Sequence, residues 1–259
     1  MSFLVLASLA ALALLVVVHV ATPSLKFLEG TPRTVWLSAA GGVSVAYVFV
    51  HFLPELAASQ AAVAEAAAGA TGGLDLAGRH VFLIALTGLL TFYGLHRLAQ
   101  ASRSRRQGEP VGSGRGSEGE AEAATSPGVF WIHMASFATY NGLVGYLLLH
   151  REEMTLRGLG FFAVAMALHF VVTDFGLNED HKAPYRRIGR WLLAAAVAAG
   201  WALGLATELP EAGVAALTAF LGGGVVLNVL KEEVPSERQS RFWAFAGGAV
   251  AYAALLLAL

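Results

Sequence analysis

The sequence predicts an all-α integral membrane protein with eight transmembrane helices. Of its 259 residues 56% are hydrophobic and only 14% are charged. Soluble domains carry about 25% charged residues, whereas each membrane-spanning helix needs about 20 mostly apolar ones. The formal net charge of −1 argues against nucleic acid as a partner. The chain has no cysteine, which excludes disulfides, thiolate nucleophiles and Cys-based metal sites.

Eight apolar segments follow one another, each bounded by charged residues or by Pro and Gly. They lie at about 2–22, 34–56, 79–99, 128–150, 157–177, 187–207, 211–231 and 240–259. Their length and the lack of two-residue alternation predict helices rather than strands. No Lys or Arg precedes the apolar core of the first segment, and seven segments follow it. We therefore expect a retained helix there rather than a signal peptide.

The distribution of basic residues predicts the orientation of these helices. All but three of the 17 Lys and Arg residues fall in the odd-numbered loops, the exceptions being Arg79, Arg151 and Arg157. Basic loops stay on the cytoplasmic side. We therefore expect both termini to be extracytoplasmic, in a multi-pass protein of the cell membrane (the inner or plasma membrane).

Residues 100–127 have the composition of a linker. They are rich in Gly, Ser, Glu and Arg and contain no large apolar residue except Val111, so they bury too little surface to fold. We expect a flexible, solvated cytoplasmic connector, although its arginines would also suit anionic lipid headgroups. It divides one membrane domain into 1–99, with three helices, and 128–259, with five.

A repeated pattern relates the second and seventh segments. Gly42 to Pro54 and Gly223 to Pro235 each open with a Gly pair and Val and close on Pro with acidic residues nearby. With three segments at either end and two between, this predicts a 3+2+3 arrangement of oppositely inserted repeats, which is common in transporters. Close packing of Gly-rich helix faces is the alternative reading of the pattern.

Polar residues inside the fifth segment point to a functional site. This segment contains His169, Thr173 and Asp174, and an ionisable residue at mid-depth costs about 2.5–3.5 kcal/mol on insertion scales. An imidazole and a carboxylate at this depth suit a divalent cation or a proton relay. A structural pair that ties helices together remains the alternative.

The fourth segment carries a polar stripe formed by His133, Ser136, Tyr140 and Asn141. The Asn141 amide offers an oxygen to a cation, or a hydrogen bond to another helix. In the second segment, His51 and Glu55 are one turn apart at the outer boundary. They suit a weak binding site for a hydrated cation at the mouth of a pathway, or an interfacial pair where Pro54 ends the helix.

At the cytoplasmic side, acidic and polar residues suit an exit for a released cation, or simply solvated helix ends. They are Asn178, Glu179, Asp180, His181, Glu232 and Glu233. Four further histidines fall near segment ends, where we expect them to be interfacial: His19, His80, His96 and His150.

These features resemble the ZIP (Zrt/Irt-like protein) family of divalent-metal transporters. The closest local match runs from Gly42-Val43 to His51-Phe52-Leu53-Pro54-Glu55, similar to the family's second span, which ends His-Leu-Leu-Pro-Glu. The stretch from Gly223 to Pro235 is similar to the seventh span. Eight spans, external termini and a variable linker after the third span also match, so the resemblance covers most of the chain.

The transport site departs from the family pattern. The family's fourth span reads His-Asn-x-x-Asp/Glu-Gly, and aligning its Gly on Gly142 puts Asn141 at the acid, with Phe137 and Ala138 at the His and Asn. In the fifth span His169, Asp174 and Gly176 match. The remaining family positions hold Phe170, Val172, Thr173 and Leu177. The paired-metal site that the resemblance implies is thus reduced to His169, Asp174 and Asn141.

The resemblance implies a permease that moves a divalent cation such as zinc, or a related small solute, toward the cytoplasm. His169 and Asp174 would be the central ligands, Asn141 would assist, and no cofactor would be bound. The alternative is a non-transporting scaffold or sensor with the same fold. We do not expect an enzyme, because a metal-dependent hydrolase needs about three ligands at one depth and no nucleophile motif is present. Gly- and Ala-rich faces suit a homodimer and equally suit packing within one subunit.

Overall fold

The computed structural model describes residues 3–28, 34–60, 80–107, 127–150, 155–229 and 241–258. In these ranges the chain is helical and contains no strand, which confirms the all-α prediction. The helices are α1 (Phe3–Ala21), α2 (Val35–Tyr47), α3 (Leu53–Ala58), α4 (His80–Gln107), α5 (Pro127–Leu147), α6 (Leu156–Pro184), α7 (Arg190–Ala206), α8 (Glu211–Asn228) and α9 (Phe242–Leu257). Single 3₁₀ turns at Thr22–Ser24 and Lys26–Leu28 follow α1.

Every predicted apolar segment contains a helix, but two helices extend further than predicted. Helix α4 continues to Gln107, eight residues into the predicted linker, and residues 108–126 lie outside the described ranges. Helix α6 continues to Pro184, so that residues 178–181 belong to the helix and do not follow it. In both cases the helix continues beyond the last apolar residue of the predicted segment, and α6 is kinked at Lys182, whose φ and ψ are not helical.

Pro54 does not end the second helical segment. A π-helical turn at Val48–Phe52 joins α2 to α3, and Pro54 occupies the first turn of α3. Proline lacks an N–H and clashes with the carbonyl four residues earlier, and the wider turn before it accommodates both effects. His51 and Glu55 therefore lie on a continuous, locally widened helix.

The surface of the molecule has the character of a membrane protein. Within the described ranges, three helical stretches are long and apolar enough to cross a membrane: Phe3–Ser24, Val35–Ala58 and Leu156–Ala206. Shorter apolar helices lie at Val81–Leu95, Glu211–Leu227 and Phe242–Leu257. Large apolar side chains remain exposed on most helices, as expected for surfaces that face lipid.

Four tryptophans lie at corresponding ends of four helices. Trp36, Trp131, Trp191 and Trp243 are each more than half exposed and lie in the first turns of α2, α5, α7 and α9. Tryptophan is enriched where a membrane meets water. Their common position indicates one interface, at the helix ends that the basic residues assign to the cytoplasm.

The helices pack in long pairs. Helix α2 runs along α9, α4 along α8 and α5 along α7, while α1 contacts both α6 and α7. Smaller contacts join α2 to α6, α4 to α5 and α5 to α8. Because α1 lies against both α6 and α7, its C-terminal turn is held close to the polar face of α6.

Glycines bring the three longest pairs into backbone contact. A Cβ added at Gly200 of α7 would overlap the backbone of Gly142 in α5, and one at Gly145 would overlap Val197. The same reciprocal arrangement joins α2 to α9 through Gly42 and Gly248, and α4 to α8 through Gly88 and Gly223. Small residues are what allow helices to approach this closely in a membrane.

Candidate functional site

The buried polar centre of the molecule is organised around His19. This residue lies in the last turn of α1 and is 1% exposed. Its Nδ1 lies 2.8 Å from Asp174 Oδ2 of α6, and its Nε2 lies 2.7 Å from Asn141 Oδ1 of α5. The expectation that His19 is interfacial is therefore wrong. Asn141 and Asp174 meet through a histidine that α1 supplies.

The hydrogen bonds determine how many protons this centre holds. Asn141 Nδ2 donates to the Phe137 carbonyl at 2.7 Å, so Asn141 Oδ1 faces His19 and accepts a hydrogen bond from Nε2–H. A second proton then lies between His19 Nδ1 and Asp174 Oδ2. The pair is either imidazolium and carboxylate or neutral imidazole and carboxylic acid, and it has no net charge in either form.

Asp174 also interacts with a tyrosine that the sequence analysis did not select. The Tyr185 hydroxyl lies within interaction distance of Asp174 and within electrostatic range of Arg190. Among the described residues neither Asp174 Oδ1 nor the Tyr185 hydroxyl makes a hydrogen bond of ordinary geometry. Arg190 Nη1 donates to the Val20 carbonyl at 3.2 Å, which ties the start of α7 to the end of α1.

His169 and Thr173 are buried on α6, as a site inside the protein requires. The His169 ring lies 5.8 Å from the Tyr140 ring, centroid to centroid, and packs against Phe170. Thr173 is 6% exposed, and its hydroxyl makes no hydrogen bond within the described part of the chain. His169 thus lies about one and a half turns before Asp174, on the side of the predicted mouth.

Aromatic residues and a narrow cavity lie between the polar centre and the outer end of α6. Phe170 stacks on the His19 ring with 4.5 Å between centroids. Beyond it, a cavity of about 20 Å³ extends among α2, α3, α5, α6 and α8 and is lined by Glu55, Phe162 and Met166 among others. This volume holds about one water molecule. Met166 lies eight residues before Asp174, about 12 Å along the helix.

His51 and Glu55 form the pair that the sequence predicts. His51 Nε2 lies 3.6 Å from Glu55 Oε2, and both side chains are partly exposed. The Tyr47 ring lies 5.3 Å from the His51 ring, centroid to centroid. Glu55 also lines the cavity, so the pair lies at its edge.

The predicted exit residues that the structure describes, Asn178 to His181, do not form one acidic cluster. Glu179 and Asp180 are exposed, whereas Asn178 and His181 are buried. Asn178 Oδ1 accepts a hydrogen bond from Arg186 Nε at 2.9 Å. His181 Nε2 lies 2.8 Å from His133 Nδ1, a contact between α6 and α5 that the sequence analysis did not predict. Glu232 and Glu233 lie outside the described residues.

No group of three His, Asp or Glu residues in the described ranges is arranged to hold a metal ion. The centre instead combines one imidazole, one carboxylate and one amide oxygen from three helices. Such a mixed donor set suits a weakly held divalent cation with water completing its shell.

A signal for His19 was present in the sequence. It is the only ionisable residue among the 19 residues of α1, and such a residue in an apolar helix is a functional candidate by default. Its position three residues from the helix end suggested an interface instead.

Comparison of the sequence with protein-family models and with curated proteins gives no match.

Proposed function

We propose that this chain is a ZIP-like membrane permease that moves a divalent cation, or a related small solute, toward the cytoplasm. The observation that carries the proposal is the convergence of His19, Asn141 and Asp174, from three different helices, in one buried centre. Buried hydrophilic groups in a membrane protein are costly. A transported solute that repeatedly binds to these groups and leaves them accounts for their presence.

In this proposal Asp174, His19 and Asn141 hold the cation, and His169 lies on the route from outside. A cation ligated by His19 and Asp174 displaces the proton that they share, because a metal ligand must be deprotonated. His51 and Glu55 at the mouth attract the hydrated cation, and the cavity beside Glu55 leads it inward.

The packing of the helices supports an inverted repeat with eight spans. In such a repeat α1 corresponds to α7, α2 and α3 to α8, α4 to α9, and α5 to α6. Exchanging the corresponding helices converts the α2–α9 pair into the α8–α4 pair. The same exchange converts α1–α6 into α7–α5, and each of these pairs is a main contact of the fold. A 3+2+3 repeat predicts this exchange. The seventh segment's copy of the pattern is described only up to residue 229.

The exposed tryptophans support a membrane–water interface at the N-terminal ends of four helices. Trp36, Trp131, Trp191 and Trp243 belong to helix ends next to the basic odd-numbered loops. Aromatic belts mark both membrane–water interfaces, whereas basic loops mark the cytoplasmic one, so the basic loops alone set the orientation. The proposal therefore includes cytoplasmic odd loops and extracytoplasmic termini.

Cation uptake into proteoliposomes tests the function, with radioactive zinc and then cobalt and manganese as probes. We expect the wild-type protein to take up at least one of them, and Asp174→Asn to lose at least nine-tenths of the flux because the carboxylate is the only acidic ligand. The matched control is Glu208→Gln, which removes an exposed carboxylate outside the helices and retains the flux. Equal flux for wild type and Asp174→Asn removes Asp174 from the mechanism.

A non-transporting scaffold or sensor is the second candidate, and one observation favours it. His19 joins Asn141 and Asp174 through two short hydrogen bonds, as expected of a centre that holds helices together. Calorimetric titration with the same three cations separates the candidates. A scaffold binds none of them, whereas a permease binds at least one and loses that binding in Asp174→Asn.

A further inference from the structure

The geometry points to Tyr185 as the residue that closes the polar centre toward the cytoplasm. The inference rests on the proposed function, because a permease must open its site to one side at a time. Tyr185 is fully buried and follows α6 directly, eleven residues after Asp174. Its hydroxyl lies within interaction distance of Asp174.

The ring of Tyr185 packs on the side of Asp174 that is predicted to face the cytoplasm. It belongs to a separate apolar cluster with Phe130, Met134, Leu177 and Leu193. These residues come from the first eight residues of α5, from the first turn of α7 and from α6 just after Asp174, all at the end predicted to face the cytoplasm. A solute that leaves Asp174 in this direction meets the Tyr185 ring first.

Gly189 makes room for the ring. A Cβ at this position would press into the Tyr185 ring and approach Met134 Sδ at 3.0 Å. The ring is therefore held in place by close packing on one side, while its hydroxyl faces the carboxylate on the other. A side chain packed in this way is a plug of defined shape.

The backbone that carries Tyr185 is irregular at three successive points. Lys182 has φ 28° and ψ −103°, and it is the only non-glycine residue with positive φ in the described ranges. Pro184 follows inside the helix, and Tyr185–Gly189 forms a π-helical turn. Strained backbone of this kind is concentrated at active sites and switch regions. The segment 182–189, which joins α6 to α7, is thus the part of the chain near Asp174 best able to change conformation and withdraw the ring.

Cysteine accessibility tests this inference cleanly, because the chain contains no cysteine of its own. The reporter is Thr173→Cys, a buried position beside Asp174. A membrane-impermeant thiol reagent is applied from the side of the membrane that carries residue 113, identified by labelling Ser113→Cys. We expect slow labelling of the reporter alone and at least tenfold faster labelling when Tyr185→Ala is added.

Three further variants identify the cause. Tyr185→Phe keeps the ring, so it retains slow labelling, whereas Gly189→Ala displaces the ring and accelerates labelling even if Tyr185→Ala fails to fold. The matched control is Tyr146→Ala, which removes another buried tyrosine at the opposite end of α5 and leaves the rate unchanged. No acceleration in Tyr185→Ala and Gly189→Ala overturns the inference, and so does equal acceleration in Tyr146→Ala or Tyr185→Phe.

The labelling experiment requires neither transport nor a bound cation, so its failure is distinguishable from failure of the proposed function. If labelling accelerates but no cation is taken up, Tyr185 still closes the polar centre, and the centre does not carry cations. Intact uptake without accelerated labelling means that the release route runs elsewhere, and Tyr185 is then only a packing residue.

Discussion

At the scale of single residues, the charge balance of the polar centre depends on His19. Asp174 is fully buried, and one of its oxygens bonds to the His19 ring. Inside a protein such a hydrogen bond is strong because the surroundings have low polarity. The same surroundings make an unpartnered carboxylate very costly, so each of the two residues depends on the other.

We predict that His19→Ala destabilises the protein by about 3–5 kcal/mol, the usual cost of removing one partner of a buried pair. The free energy of unfolding in detergent micelles measures this. In the double variant with Asp174→Asn the added cost of His19→Ala shrinks, because the remaining amide has no charge to compensate. A loss below about 0.5 kcal/mol for His19→Ala would match an interfacial histidine and contradict the buried pair.

At the scale of secondary-structure elements, glycines determine how closely the helices pack. Gly200 of α7 lies against Gly142 of α5, so that two backbones meet without side chains between them. This contact fixes the position of α5 and therefore of Asn141, which lies one residue before Gly142. Close packing of the α5–α7 pair thus contributes directly to the geometry of the polar centre.

We predict that Gly200→Ala destabilises the protein by about 1–3 kcal/mol, because the added methyl group forces α5 and α7 apart. The matched control is Gly160→Ala in α6, where an added Cβ meets nothing within 4 Å. There alanine is neutral or stabilising by up to about 1 kcal/mol, since it favours the helix. Thermal unfolding of both variants in the same detergent measures the difference, and equal effects contradict the close approach.

At the scale of the whole molecule, the proposed permease requires a defined orientation. The cavity beside Glu55 and the Tyr185 ring lie on opposite sides of the polar centre along α6. The Phe170 ring, which stacks on His19, and the Tyr185 ring enclose the centre on these two sides. A permease passes through such an occluded state between its outward-open and inward-open forms.

We predict that Ala68→Cys is labelled by an impermeant maleimide in intact cells, and that Ser113→Cys is labelled only after the membrane is permeabilised. Both positions lie outside the described residues, and α4 separates them in the chain. The reverse pattern contradicts the orientation derived from the basic residues. Labelling of both positions from one side contradicts a single crossing by α4.

The sequence by itself determined the class of the protein, the eight helical segments and the burial of Asn141, His169 and Asp174. Apolar length and scarce charge are local properties of the chain, so they can be read without knowing which helices touch. Only the tertiary structure decided that His19 links Asn141 to Asp174 and that Tyr185 lies beneath them. Along the chain, His19 is 122 positions from Asn141 and 155 from Asp174, and Tyr185 is 11 positions from Asp174. Such contacts depend on how glycine-lined helices pack, a property that no single segment encodes.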